Sequence, residues 1–267
     1  MTTSWTMASD RRLDTAVAAL TGLTRSQARG LILAGRVRVD GDPHSKPGSN
    51  LRVGARVDVE RPAPFVSRGG EKLEGALRDF SVDPIGLETL DVGASTGGFT
   101  DCLLQRGAAH VVALDVGYGQ LAWKLRTDER VTIVERTNFR TLPDDAYPAG
   151  FDLIVIDASF ISLRTIVARA VAYLRPAGRI VALVKPQFEA GRDRIGGGGV
   201  VREPETHAAI LREVRDALPP HGVHAIAATR SGLVGPAGNV EFFYLIAREG
   251  PPVDDERIAA LVAEAHA

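Results

Sequence analysis

A run of small residues, Asp91-Val-Gly-Ala-Ser-Thr-Gly-Gly-Phe-Thr100, joins an apolar stretch to a helical one. Glycines remove the Cβ atoms that keep a backbone away from a ligand, and they permit a sharp turn from strand to helix. Asp115 closes the next apolar run, where a carboxylate can accept hydrogen bonds from ribose hydroxyls. A phosphate-binding loop would need Gly-Lys-Ser/Thr, which is absent. A dinucleotide fold favours G-x-G-x-x-G, whereas the pattern here is G-x-x-x-G-G. A tight strand-to-helix turn without a ligand would use the same residues. Asp157 ends another apolar run, Lys185 leaves the next as Lys185-Pro-Gln-Phe-Glu189, and Glu241 opens the last after a turn-rich loop. In open α/β sheets ligands sit beyond the carboxyl ends of the strands, so Asp157 and Lys185 stand where chemistry is done. The same carboxylate can also cap a helix, and the same lysine can simply reach water.

These residues need elements to hold them. Apolar runs predict strands over 87–92, 110–115, 131–135, 151–157, 179–185, 223–229 and 240–247, and helices over 99–106, 119–126, 160–174 and 203–218. The alternation predicts an α/β fold, an open doubly wound seven-stranded sheet, with an antiparallel hairpin of the last two strands at one edge. Leu73, Ala76, Leu77 and Phe80 carry helical spacing before the first strand.

The front is different. Leu13, Ala16, Val17 and Leu20 recur at i, i+3, i+4 and i+7, and Gly22 stops that helix. Thr24 and Gln27 form a capping-box pattern for a second helix, which Gly35 ends. Val37 and Val39 alternate around Arg38 before the turn pair Asp40-Gly41, and 56–60 reads as a further strand. Residues 1–61 hold ten Lys+Arg against six Asp+Glu, although the whole chain has a net charge of -1. Arg25 and Arg29 share a helix face, with Arg11, Arg12, Arg36 and Lys46 nearby, so the front is a candidate surface for a polyanion or a solvated basic face. Two prolines in Arg61-Pro-Ala-Pro64 interrupt regular structure. The expected division is a module over 1–60, a linker over 61–65, a catalytic domain over 66–250 and a tail over 251–267.

Composition narrows the classes. With 45% apolar and 24% charged residues the 267-residue chain can bury a core, so disorder is not expected. The single cysteine, Cys102, allows no intramolecular disulfide and no multi-cysteine metal site. No run approaches a membrane span of roughly 18–20 residues, and the opening lacks a signal peptide's regions, with Met7 a second candidate start. A reducing cytoplasm and no membrane are expected. His221 and His224 have metal-pair spacing but no further ligands nearby, so no metal is expected. Tyr118 and Trp123 lie near the cofactor edge, as flanks for a ring or as core.

The D-V-G-A-S-T-G-G run resembles motif I of S-adenosylmethionine methyltransferases. Helix, turn, basic helix and A-G-R-V-x-V-D-G resemble the S4-type RNA-binding module, which implies phosphate contacts from the helices over about residues 10–60. The pieces S-R-G-G-E-K-L, D-V-G-Y-G-Q-L-A-W, E-R-T-N, D-A-S-F-I-S, V-K-P-Q-F-E and G-P-A-G-N-V-E-F look like TlyA-type 2′-O-methyltransferases of bacterial ribosomal RNA, over 10–247. The catalytic part is also similar to FtsJ-like RNA 2′-O-methyltransferases. The resemblance implies a Rossmann-like sheet behind an α+β S4-type module, S-adenosylmethionine as cofactor, and ribosomal RNA or ribosomal subunits as partner. A cytidine target in 16S and/or 23S RNA, a monomer and no metal are implied too.

A Lys-Asp-Lys-Glu catalytic set falls, by motif, on Lys72, Asp157, Lys185 and Glu241. Cofactor contacts fall on Asp91, Gly93, Ala94, Ser95, Gly97, Gly98, Phe99, Asp115, Val116, Asn138 and Asp157, and RNA contacts on the six front cations. Actinobacterial relatives of this type carry Arg-x-Trp-Val at the linker, where this chain has Arg61-Pro-Ala-Pro-Phe-Val66. Such proteins are often labelled haemolysins, but no segment here could span a bilayer. Small-molecule methylation, a cofactor fold kept for RNA assembly, and a membrane-acting toxin are the rival readings. The basic front opposes the first and the four matched active-site positions oppose the second.

Overall fold

The computed structural model describes every residue except 1, 61, 62, 192, 193, 197, 236 and 267. Arg61 and Pro62 of the expected linker, Gly197 of the glycine run and Pro236 of the loop before Glu241 thus lie outside the described residues. The chain divides into two compact units, Met1–Pro64 and Phe65–Ala267.

The first unit is α+β. Strands β1 (Thr2–Thr6), β2 (Arg11–Arg12), β3 (Val37–Val39), β4 (Asp42–Pro43), β5 (Asn50–Leu51) and β6 (Arg56–Glu60) accompany helices α1 (Leu13–Thr21) and α2 (Arg25–Leu33). An antiparallel sheet runs β1-β6-β3-β4, and β2 pairs with β5. Leu13, Ala16, Val17, Ala28, Ile32, Val37, Val57 and Val59 are buried together, the expected stripe of α1 closing on the alternating strands. Thr24 and Gln27 form the capping box in full, and Gly22 ends α1 in the left-handed region at φ 72°. Strand β1 was not expected. It pairs with β6 from Thr2↔Glu60 to Thr6↔Arg56, because Thr, Ser and Trp suit an edge whose register a neighbour dictates.

The second unit holds α3 (Arg68–Asp79), β7 (Glu88–Val92), α4 (Gly98–Gln105), β8 (His110–Leu114), α5 (Trp123–Arg126), β9 (Val131–Val134), β10 (Phe151–Ile156), α6 (Leu163–Ala170), β11 (Leu174–Val184), α7 (Pro186–Glu189), α8 (Pro204–Asp216), β12 (His224–Arg230), β13 (Phe242–Ala247) and α9 (Asp255–His266). The sheet order is β12-β13-β11-β10-β7-β8-β9, parallel except for β13, which runs antiparallel to both neighbours. This is the expected seven-stranded α/β sheet, with the hairpin at one edge. Its strands are apolar on both faces because helices cover both. Ile154 and Ile156 point to the core under α6, α8 and α9, while Leu153 and Val155 point to the core under α3, α4 and α5. The order reverses at β7, between β8 and β10, which opens a crevice at the carboxyl ends of β7 and β10.

Three expectations need correction. The helix expected over 119–126 is only Trp123–Arg126, since Gly117 and Gly119 precede it in a turn. Phe65 is buried against Gly70 and belongs to the second unit's core, not to a linker. Residues 251–267 are not a tail: Ile258, Leu261, Val262 and Ala265, spaced i, i+3, i+4 and i+7, bury one face of α9 in the first of those cores. Leu261→Ala should therefore cost about 2–5 kcal/mol of stability. Urea denaturation of parent and variant measures it, and an unchanged midpoint would mean that α9 is not part of the core.

Candidate active site and basic face

The glycine loop leaves β7 at Val92. Gly93 has φ +89°, and a Cβ there would lie 2.7 Å from the Asp157 carbonyl oxygen, so only glycine lets the ends of β7 and β10 meet. Gly98 plays a like part at α4, where a Cβ would strike the Ser67 hydroxyl at 2.2 Å and the Gly70 amide at 2.9 Å. That closeness brings the start of α3, and with it Lys72, up to the loop. Asp115, beyond β8, accepts from the Ser95 amide at 2.8 Å and the Gly117 amide at 2.6 Å, tying the loop to the next turn.

Two clefts flank this loop and share Gly93, Ser95 and Asp157. One, of about 370 Å³, is lined by Lys72, Ala94, Gly98, Phe99 and the Ser67–Gly69 turn. The other, of about 330 Å³, is lined by Asp115, Val116, Asn138, Phe139, Ser159 and Phe160. Its combination of acceptors with apolar walls fits a nucleoside, and the Cβ-free backbone at Gly93 lets a ligand lie close. Of the expected cofactor residues, Asp91 and Gly97 line neither cleft among the described residues. Gly97 instead caps α4 at φ 92°, packed against Leu121 and Leu125. Tyr118 and Trp123 are 65% and 77% exposed, so the core reading does not hold for them, and neither lines either cleft.

The four residues expected as a catalytic set form two ion pairs. Lys72, on the buried face of α3, bonds Glu241, which sits just before β13 and is 1% exposed. Lys185, one residue past β11, lies 2.5 Å from Asp157 Oδ1 and donates to the Ser159 hydroxyl at 2.8 Å. Lys72 and Asp157 line the same cleft, so each pair contributes one member to its wall, with Glu241 and Lys185 behind them. Sequence reasoning passed over Ser159 and Glu189. The Glu189 carboxylate accepts from the Ser162 hydroxyl at 2.6 Å and the Leu163 amide at 2.5 Å, pinning the loop that follows Asp157 to the segment that follows Lys185. Both stand within the D-A-S-F-I-S and V-K-P-Q-F-E pieces. A signal was present, but no spacing rule assigned them a role.

In the first unit Arg11, Arg29 and Lys46 are exposed. Arg12 and Arg25 also face solvent but both bond Asp14, and Arg36 lies 3.7 Å from Glu60. Among the described residues no group of three or more His, Cys, Asp or Glu could hold a metal ion, and no helix is long and apolar enough to cross a membrane.

Asp91 lies beneath the loop, fully buried. Its Oδ2 accepts from the Thr100 hydroxyl at 2.6 Å, and among the described residues its Oδ1 has no hydrogen-bond partner. Burial, together with the Asp157 charge, pushes its carboxyl up to about 7 against the pull of the Thr100 bond. The folded protein keeps this proton until about pH 7, whereas the unfolded chain releases it near 3.8, so Asp91 withdraws stability as pH rises between them. Asp91→Asn should gain on the parent from about pH 4 to about pH 7 and then level off. Denaturation of the ligand-free proteins across that range measures it, and parallel pH profiles would contradict the assignment.

The FtsJ-like methyltransferase model matches residues 65–248 and the S4 domain model matches 11–57. The Mycobacterium tuberculosis 16S/23S rRNA (cytidine-2′-O)-methyltransferase TlyA is 49% identical over 226 residues, 83% of this chain and 84% of that one. Hemolysin A of Brachyspira hyodysenteriae is 38% identical over 82% of this chain and 92% of its own. A solved Streptococcus thermophilus structure, also carrying a hemolysin name, superposes with a TM-score of 0.73 at 40% identity over 97% of each chain. A Listeria monocytogenes S-adenosylmethionine-dependent methyltransferase, at 14% identity and a TM-score of 0.50 over 68% of this chain and 100% of its own, shares the fold. The sheet, the glycine loop and these matches lead to one assignment: the chain belongs to the FtsJ-like methyltransferases, in the TlyA-type group that carries an S4 domain in front.

Proposed function

We propose that this protein transfers a methyl group from S-adenosylmethionine to a ribose 2′-hydroxyl, that of a cytidine, in 16S and/or 23S ribosomal RNA of the cytoplasm. The observation that carries the reading is the pair of lysine–carboxylate contacts, Lys72–Glu241 and Lys185–Asp157, each with one member lining one cleft beside the glycine loop. The names of the relatives, and the S4 domain ahead of the catalytic unit, support the RNA substrate.

Asp115 and Asn138, with Val116 and Phe139 as apolar walls, would hold the nucleoside of the cofactor, and Gly93 and Ser95 would meet it along the backbone. When bound, S-adenosylmethionine supplies a methyl group already activated on a cationic sulfur. The protein's share is alignment and removal of the hydroxyl proton. Alignment of reacting groups is worth about 7–11 kcal/mol in oriented intramolecular reactions. Lys185 accepts the proton as its neutral amine and becomes the ammonium that pairs with Asp157, with Asp157 and Ser159 setting its position. Lys72, fixed by Glu241, supplies a positive charge beside the developing alkoxide. Arg11, Arg29 and Lys46, exposed on the first unit, meet RNA phosphates.

Lys185→Ala should keep cofactor binding and lose about 10²–10⁴-fold in single-turnover rate on saturating RNA. Lys185→Arg should not restore it, because guanidinium does not give up its proton at working pH. A near-parental rate for the arginine variant would reduce Lys185 to an electrostatic clamp. On the front, Arg29→Glu should weaken binding to ribosomal subunits and lower the salt slope by about 0.7–0.9 for each phosphate that is no longer neutralised. Arg29 is the fairer probe than Arg25, whose removal would also strip a partner from Asp14. Unchanged affinity in a salt series would remove Arg29 from the RNA face.

A further inference from the structure

Asp14, in the first turn of α1, is 0% exposed, yet its carboxylate accepts four guanidinium hydrogen bonds. Arg12, on β2, donates Nε to Oδ1 at 3.2 Å and Nη2 to Oδ2 at 3.1 Å. Arg25, opening α2, donates Nε and Nη2 to Oδ2 at 3.1 and 3.0 Å. Both arginine side chains stay about half exposed, at 50% and 56%. The Arg12 bond, more than any other interaction, holds the Asp14 carboxyl well below the usual range, so the carboxylate stays ionised.

One bidentate arginine would satisfy a buried carboxylate. A second leaves the triad with a net positive charge, turned outward. The other arginine–carboxylate contacts of this unit, Arg36–Glu60 and Arg56–Asp58, are one to one. Among the described residues neither Arg12 nor Arg25 makes a hydrogen bond through Nη1, so each guanidinium keeps a free donor edge. The setting is shaped around them. The Leu13 and Asp14 amides donate to Ser49 and Pro47 carbonyls, drawing the 47–49 loop alongside, and a Cβ at Gly48 would press to 3.3 Å from Arg12 Nη2. Two unrestrained guanidiniums repel, and each must be ordered when it binds. Two held on one carboxylate are already in place.

We propose that Asp14 is a positioning residue for RNA binding: it holds Arg12 and Arg25 as a preformed guanidinium pair for a phosphate of the RNA backbone. The proposal rests on the reading of the S4-type unit as the RNA anchor. Asp14→Asn offers an opposed test, because it removes a negative charge and leaves the unit more positive by one. Long-range electrostatics alone would then tighten RNA binding. Positioning predicts the reverse, a drop of about tenfold in affinity for ribosomal subunits, the scale of one charge-assisted hydrogen bond. Arg12→Lys, which keeps the charge and removes the fork, should weaken binding to a similar degree.

Affinities of the full-length proteins, shown folded by circular dichroism, are measured over a salt series. A folded Asp14→Asn variant that binds as tightly as the parent, or tighter, overturns the proposal. If Asp14→Asn does not fold, Arg12→Lys decides, with parental affinity the contrary result. Arg12→Ala and Arg29→Glu separate the two levels. If both leave affinity unchanged, the RNA-anchor reading falls and this proposal with it. If Arg12→Ala weakens binding and Asp14→Asn does not, only the positioning role falls.

Discussion

The catalytic unit depends on one close approach, the backbone of Gly93 against the carbonyl of Asp157. These residues directly follow β7 and β10, adjacent strands at the point where the sheet order reverses. A Cβ at position 93 would lie 2.7 Å from that carbonyl oxygen, so any side chain would push the strand ends apart. The glycine loop, both clefts and Asp157 all stand on this approach. Asp157 in turn sets Lys185, and the spread of the same loop decides how near Lys72 comes from α3. Apolar packing on both faces of the sheet supplies the stability that keeps so tight a junction closed.

Charge is used in this protein for position. A buried ion pair is poor evidence of stability, because desolvating both partners costs about as much as their attraction returns. Lys72–Glu241 is nevertheless nearly sealed from water, and Lys185 is 11% exposed beside Asp157. Under the proposed function that cost has a use. A lysine locked on a carboxylate cannot wander, and a fixed charge in a site of low polarity acts more strongly on a developing alkoxide than a solvated one. Asp14 applies the same device to arginines on the first unit, with the charged ends left in water.

Much of this was legible in the sequence where local rules and tertiary demands agree. The glycine loop, Asp115, the seven strands, the edge hairpin and the capping box at Thr24 all follow from periodicity and turn chemistry, and the structure has them. The pairing inside the Lys-Asp-Lys-Glu set was not legible, because Lys72 and Glu241 meet across 169 positions through the fold alone. Strand β1 escaped because a partner strand, rather than its own pattern, makes Thr2–Thr6 extended. Helix α9 was not expected although its stripe is present in the sequence: Ile258, Leu261, Val262 and Ala265 carry helical spacing. Arg12 and Arg25 read correctly as surface cations, but no rule of spacing joins them to a buried Asp14.

The central claim is a reaction at a ribose 2′-oxygen in ribosomal RNA, and the site of the transferred methyl group tests it most directly. Ribosomal subunits lacking the modification would be incubated with the protein and S-adenosylmethionine carrying a deuterated methyl group, then digested to nucleosides for mass spectrometry. The account predicts the label on the sugar of cytidine, as 2′-O-methylcytidine. Label on a base, or none in RNA under conditions where the protein binds the cofactor, would contradict it.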